Sequence, residues 1–183
     1  LGRNGAGKTT TLRSIVGANP PSVEQGTIRY QGTDITGWPT DDIVLSGVGI
    51  VPEERRLFTE LTVEENLELS RISRSYWNVL RRKIVGEGEE GGMSVEELYD
   101  LFPVLEDRQG QRAGSLSGGE QQMLSIARTL RLPNSDLLLL DEPTEGLAPL
   151  IVEDLMESIN RIAEGGTTVL LIEQNVQAAM ELA

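Results

Sequence analysis

The amino-terminal end of this chain carries a glycine-rich motif that constrains the fold more than any other feature of the sequence. Residues 2–9 read GRNGAGKT and match the P-loop pattern G-x-x-x-x-G-K-[ST]. Glycines let the backbone approach a phosphate closely and turn its N–H groups inward, and the helix that follows adds its positive dipole end. The motif therefore predicts a phosphate site at a helix start in an α/β protein. The residues of this site are Asn4, Gly5, Ala6, Gly7, Lys8, Thr9 and Thr10.

Two side chains of the loop carry its chemistry. Lys8 is one of only two lysines in 183 residues, and it falls on the position that the pattern requires. In a P-loop this lysine reaches the β- and γ-phosphates, and the next hydroxyl, here Thr9, binds Mg²⁺. The strand that should lead into the loop is missing, because the chain begins at Leu1. We therefore expect the chain to be a piece of a longer protein, truncated at both ends.

An apolar run that ends in two carboxylates lies further along the chain. Four leucines at 137–140 lead into Asp141 and Glu142, and such a run is typical of a parallel strand buried on both faces. The strand would hold Asp141 at the carboxyl edge of the sheet, where it would bind Mg²⁺ through water. Glu142 would then face the attacking water as its base or orienter.

A second glycine-rich helix start precedes this strand. Residues 116–120 read LSGGE, in which Ser117 is a natural N-cap and Gly118 and Gly119 expose backbone N–H groups. The motif predicts a second anion-binding helix end. An ordinary capped helix is the alternative interpretation of the same letters.

The rest of the chain alternates short apolar runs with helical stretches, which is typical of βαβ units and a largely parallel sheet. The pattern predicts a helix at 9–16 and strands at 26–30, 47–51, 136–141 and 167–172. A turn is expected at Gln31-Gly32, and an amphipathic helix runs from Pro149 to a Gly165-Gly166 stop.

The middle of the chain has no clear strand and is predicted to be a helical subdomain. Capping boxes at Thr62 and Ser94 mark helix starts. Five basic residues lie within 71–83, and they form either a solvated helix face or a docking surface for a partner.

Composition excludes several classes of chemistry. The chain has no Cys and no His, which removes disulfides, thiolate zinc sites and the Ser-His-Asp triad. Acid–base steps must therefore use carboxylates, Lys or Tyr. The formal charge of −13 disfavours nucleic acid as a partner, because its phosphates would be repelled. No apolar run approaches the roughly 18–20 residues that a membrane helix needs.

The motifs GRNGAGKTT, LSGGE and LLLLDEP stand in the order found in ABC-type ATPases, so the chain resembles that family over essentially its whole length. The resemblance implies an α/β P-loop NTPase fold with a RecA-like parallel-sheet core, an antiparallel β piece and an inserted α-helical subdomain. We divide the chain into a first core part (1–61), a helical subdomain (62–115), and the signature, Walker B and switch region (116–183). The segment before Leu1 would hold the aromatic that stacks on adenine in this family.

The resemblance also implies how such a subunit works. Two ATPase domains, identical or different, would enclose two ATPs, each between one P-loop and the signature of the other domain. Ser117, Gly118 and Gly119 would then contact the γ-phosphate across the dimer, and Glu120 is counted with them as a nucleotide-binding residue. The protein would sit peripherally on the cytoplasmic face of the cell membrane. Its segment 53–82 would face the transmembrane subunits of an importer. A solute-binding protein would deliver the solute to those subunits.

Four strings, VPEERRLF, LTVEENL, EGLAP and IEQN, resemble the LivF-type ATPase of branched-chain amino acid importers. Related ATPases of urea and short-amide importers look similar and stay open as alternatives. A soluble ABC ATPase that acts on ribosomes or DNA is another alternative. Such a protein would usually show tandem ATPase domains or long coiled-coil insertions. A non-hydrolysing scaffold is a third alternative.

Several positions depart from the family pattern. Glu53 stands where the Q-loop usually has Gln, and it would still reach Mg²⁺ or the water. Gln174 replaces the usual switch His; it would hydrogen-bond a γ-phosphate but cannot carry a proton at neutral pH. Glu120 replaces the usual Gln of the signature, and Ala148 replaces the usual Asp of the D-loop. Without a switch His, Glu142 would carry more of the base role.

Overall fold

The structure is a computed structural model, and it describes residues 6–69, 92–132 and 135–174. The basic cluster at 71–83, and the predicted site residues Asn4 and Gly5, lie outside these ranges. In chain order the elements are α1 (Lys8–Ile15), β1 (Arg29–Tyr30), β2 (Thr33–Asp34), α2 (Thr40–Leu45), β3 (Val48–Val51), α3 (helical at 63–69), α4 (Val95–Leu101), α5 (Pro103–Asp107), a 3₁₀ turn (Ala113–Ser115), α6 (Gly118–Leu130), β4 (Leu137–Asp141), α7 (Pro149–Glu164) and β5 (Thr168–Ile172).

Within the described ranges, three parallel strands form the central sheet in the order β3-β4-β5. The leucine run is its middle strand, as its continuous apolar character predicts. The register pairs Val51 with Leu140 and Asp141 with Ile172. Because the strands are parallel, their carboxyl ends meet at one edge of the sheet. The turns that follow β3, β4 and β5 therefore lie side by side.

Alternation along β4 divides the core between the two faces of the sheet. Leu139 packs on one face with Leu12 of α1. Leu138 and Leu140 pack on the opposite face with a larger cluster that includes Leu124 of α6. Helix α1, which carries the P-loop lysine, is thus fixed against the sheet by its buried apolar side.

The apolar stripe predicted for the amphipathic helix that begins at Pro149 is confirmed. Leu155, Met156, Ile159 and Ile162 are at most 1 % exposed, and the helix ends before Gly165. Burial of four such side chains contributes on the order of 6–12 kcal/mol before entropy is subtracted. This helix anchors the loop that follows β4 to the rest of the core.

The antiparallel piece is a small hairpin. Arg29 pairs with Asp34, and Gln31 and Gly32 both have positive φ angles in the predicted turn. The prediction of a strand at 26–30 was wrong for residues 26–28, because β1 contains only Arg29 and Tyr30. Gly26 has a φ of 99°, a left-handed conformation that a strand cannot contain.

The middle helices share the larger apolar cluster with the sheet. Val63, Leu67, Leu98 and Leu105 are fully buried within it. Both predicted capping boxes are present, at Thr62 with Glu65 and at Ser94 with Glu97. Backbone and side-chain hydrogen bonds from Ser94 lower the pKa of Glu97. The boundaries at 62 and 116 stay a prediction.

None of the helices in the described parts of the chain is long and apolar enough to cross a membrane.

Candidate active site

The P-loop and the carboxyl ends of the strands enclose one cavity of about 270 Å³. Gly7, whose φ is 82°, precedes α1 and turns the loop into the first helical residues. Eight of the residues predicted from the sequence line this cavity in the described part of the chain, and Glu145 joins them. The lining residues are Ala6, Gly7, Lys8, Thr9, Thr10, Glu53, Glu142, Glu145 and Gln174.

Two contacts tie the first turn of α1 to the end of β4. The Lys8 ammonium lies 3.2 Å from Oε1 of Glu142, and both side chains are only 9 % exposed. The Thr9 hydroxyl donates to Oδ1 of Asp141 over 3.2 Å. The P-loop lysine and threonine thus reach two adjacent carboxylates that lie more than 130 residues further along the sequence.

The turn after β3 supplies Glu53, which follows Pro52 directly. Glu53 is exposed and lines the cavity, at the position that the sequence predicts for it. On the far side, Gln174 follows β5, and its Nε2 donates to Oε2 of Glu142. The three strand ends thus each bring one predicted side chain to the same space.

The two adjacent carboxylates of β4 have pKa values shifted in opposite directions. Burial raises the pKa of Asp141, and the negative charge of Glu142 adds to this, while the Thr9 hydrogen bond opposes it. Burial also acts to raise the pKa of Glu142, but hydrogen bonds from Gln174, Glu145 and Lys8 and the Lys8 charge hold it below its ordinary value. Glu142 is therefore held in the ionised form that accepts a proton or orients a water.

Glu145 is a site residue that the sequence reasoning missed. A hydrogen bond shared with Glu142 raises the pKa of Glu145, and the charges of Glu142, Glu53 and Glu173 act in the same direction. Its backbone N–H donates to the Glu142 carbonyl at 3.1 Å, so a tight turn brings the two side chains together. The available signal was the three-residue spacing of two glutamates straight after a buried strand.

The residues present fit a magnesium ion. No group of three or more His, Cys, Asp or Glu residues suited to a metal occurs within the described ranges. Mg²⁺, however, is usually bound by one or two carboxylates together with waters and substrate phosphates. The Thr9 hydroxyl and the Asp141 carboxylate, beside a phosphate loop, provide such a ligand set.

The signature residues begin α6 and do not line this cavity. The Ser117 N–H donates to Oε2 of Glu120 at 2.7 Å, and the Glu120 N–H donates to Oγ of Ser117 at 3.3 Å. Burial acts to raise the pKa of Glu120, but hydrogen bonds with the backbone and side chain of Ser117 and the contact with Arg108 lower it overall. The Glu120 carboxylate and the Ser117 hydroxyl thus each accept the backbone N–H of the other residue at the helix start.

Gly119 packs against the start of α7, which leads to a prediction about stability. A Cβ at this position would overlap Cγ2 of Ile151, a branched side chain with little rotamer freedom. We expect Gly119→Ala to lower the free energy of unfolding by about 1–3 kcal/mol in urea titrations. Gly110→Ala is the matched control, because nothing lies within 4 Å of its added methyl group. Equal stability of the two variants would contradict this packing.

A buried parallel sheet whose strand ends meet a phosphate loop and paired carboxylates defines a P-loop nucleoside triphosphatase. The sequence matches the ABC transporter family over residues 1–145, and the chain belongs to that family. It is therefore an ATP-hydrolysing, transport-coupled cassette.

Curated relatives match the whole chain, and two of them are named for branched-chain amino acid transport. The high-affinity branched-chain amino acid transport ATP-binding protein BraG of Pseudomonas aeruginosa is 41% identical over 183 residues, with 72% of its own length covered. The probable branched-chain amino acid transport ATP-binding protein LivF of Archaeoglobus fulgidus is 35% identical over 183 residues, with 71% of its length covered.

A solved structure agrees with the fold. The ADP conformation of MJ1267, an ATP-binding cassette of an ABC transporter, superposes with a TM-score of 0.75 at 25% identity. The match covers 100% of this chain and 71% of the other. The α/β P-loop fold with its antiparallel β piece, which the family resemblance implies, is confirmed.

Proposed function

We propose that this chain belongs to the nucleotide-binding subunit of an importer for branched-chain amino acids. The observation that carries the proposal is the full-chain similarity to BraG at 41% identity. The P-loop and strand-end side chains support it, since Lys8 contacts Glu142 and Thr9 contacts Asp141. The proposal places the protein peripherally on the cytoplasmic face of the membrane.

The charges around the cavity decide how ATP binds. Glu53 and Glu142 line a space that must accept a polyanion, and Lys8 is the cation among its described lining residues. A bound Mg²⁺, held by Thr9 and Asp141, would neutralise phosphate charge. Backbone N–H groups at 7–10 and the positive end of α1 would hold the phosphate oxygens.

Hydrolysis needs a group that orients water and takes up its proton. Glu142 is placed for this, because it stands at the end of a buried strand with its pKa held low. Gln174 donates to the same carboxylate and has an amide that would also reach a γ-phosphate. Glu53 would contact the water or the metal from the opposite rim.

A second ATPase subunit, identical or different, would complete each site. Ser117, Gly118 and Gly119 would form a phosphate-binding helix start, and they do not line the cavity of their own chain. We propose that they meet the γ-phosphate held by the partner. Glu120 would act there indirectly, by fixing the Ser117 backbone.

A groove of about 350 Å³ beside α6 is proposed as the docking site for a transmembrane subunit. Phe58 is 50 % exposed there, and Arg128 stacks on its ring at 4.7 Å. Arg55 and Arg56 line the same groove, so an apolar helix with an acidic residue would match it.

The division into core parts at 1–61 and 116–183 around a helical subdomain at 62–115 is part of this proposal.

The solute is tested with the full-length protein reconstituted with its membrane subunits and solute-binding protein. We expect leucine, isoleucine or valine to stimulate ATP hydrolysis several-fold, because the loaded binding protein drives the cycle. Urea and short amides serve as the comparison solutes. Stimulation by urea or an amide alone would instead place the chain with those importers.

A further inference from the structure

A buried glutamate outside the cavity joins two of the turns that build the site. Glu173 is only 3 % exposed, and its Oε1 accepts two hydrogen bonds from Thr144. The Thr144 N–H donates at 3.0 Å and the Thr144 hydroxyl at 2.8 Å. Thr144 is itself 7 % exposed, so both partners are largely removed from water.

The positions of these two residues give the contact its meaning. Thr144 lies two residues after Glu142, and Glu173 lies directly before Gln174. The two turns are joined again by the Glu142 N–H, which donates to the Ile172 carbonyl at 2.8 Å, and by the Gln174 amide on the Glu142 carboxylate. Glu173 is therefore one of the links that hold the turn after β4 against the end of β5.

We propose that Glu173 is a positioning residue for ATP hydrolysis, whose carboxylate holds Thr144 and so aligns Glu142 with Gln174. This inference rests on the proposed roles of Glu142 and Gln174. The turn that carries Glu142 needs such a support, because Glu142 has a φ of 49°, in the left-handed region that non-glycine residues rarely adopt. Side-chain bonds at Thr144 hold the next residues of that turn in place.

Removing Glu173 would free this turn without removing a nucleotide contact. The Thr144 N–H would lose its buried acceptor, and the turn would relax until water or another group satisfied it. Misplacing a reacting group by about 1 Å costs on the order of 100-fold in rate. Glu173 does not line the cavity, so the affinity for ATP should change little.

The experiment measures steady-state ATP hydrolysis by the full-length protein. We expect Glu173→Ala to lower kcat about 10-fold or more, with the KM for ATP within about 2-fold of wild type. Glu173→Gln keeps an oxygen that accepts both Thr144 bonds, so it should restore kcat to within about 3-fold. Ser158→Ala is the control, because it removes a buried hydroxyl with hydrogen bonds to Leu101 and Asp154, remote from the cavity.

The threonine side of the contact gives a second test, which decides the matter if Glu173→Ala does not fold. Thr144→Val removes the hydroxyl bond and keeps the N–H bond, so kcat should fall by about 3- to 10-fold. Thr144→Ser keeps both bonds and should stay near wild type. Combining Thr144→Val with Glu173→Ala should lower kcat no further than Glu173→Ala alone.

Three results would overturn the inference: normal kcat in Glu173→Ala and Thr144→Val, equal loss in Glu173→Gln and Glu173→Ala, or a KM that rises in step with the loss of kcat. Failure of the proposed function is recognised separately. Wild-type hydrolysis by Glu142→Gln would remove the role of Glu142 and this inference with it. Loss of hydrolysis in Glu142→Gln with normal turnover in Glu173→Ala would remove this inference alone.

Discussion

We expect Glu142→Gln to lower the kcat for ATP hydrolysis by at least about 100-fold while ATP still binds. Positioned general bases contribute roughly 10²–10⁴-fold to enzymatic rates, and an amide cannot accept the proton of the attacking water. Glu142 is held ionised by Gln174, Glu145 and Lys8, and the chain has no histidine that could replace it. The substitution changes one oxygen to nitrogen, so the shape of the site is kept.

The measurement is single-turnover hydrolysis with saturating ATP, paired with an equilibrium titration of ATP binding. The control is Glu157→Gln, which makes the same change in charge at an exposed position of α7. This control should hydrolyse ATP at the wild-type rate. Hydrolysis by Glu142→Gln within about 3-fold of the wild-type rate would show that another group performs the base role. Loss of the true general base should lower the rate by roughly 10²–10⁴-fold.

Local motifs made much of the fold and of the site predictable. The P-loop at 2–9 and the leucine run at 137–140 each combine a local pattern with a chemical requirement. Parallel strands then bring the two motifs to one edge of the sheet whatever the loops between them contain. The contacts of Lys8 with Glu142 and of Thr9 with Asp141 follow from that geometry.

Features that depend on weak or long-range signals were missed. Helix α2 has only six residues and follows Pro39, so it is too short to show a helical period. The contact of Glu173 with Thr144 spans 29 residues, and nothing local tells which group a buried carboxylate will meet. One local signal was present but unused, because Ser117 and Glu120 have the same spacing as the capping boxes at Thr62 and Ser94.

The second large effect is expected at Lys8. We expect Lys8→Ala to weaken ATP binding by at least about 100-fold, or roughly 2.7 kcal/mol, because a largely buried cation is removed from an anionic cavity. Two carboxylates, those of Glu53 and Glu142, line the cavity and would then repel the phosphates. Isothermal titration with ATP measures the change, and Lys8→Arg retains the charge with a larger, planar head group.

The source of that loss is separated by removing one carboxylate together with the lysine. If repulsion of the phosphates by Glu142 contributes, Lys8→Ala combined with Glu142→Gln should bind ATP about 5- to 20-fold more tightly than Lys8→Ala alone. The exposed pair Arg112 and Glu60 allows a matched control, since Glu60→Gln in the Lys8→Ala background should recover no affinity. A double variant that binds no better than Lys8→Ala would assign the whole loss to the missing ammonium contacts with phosphate. Recovery would show that this acidic site depends on its lysine to offset Glu142 as well as to hold the nucleotide.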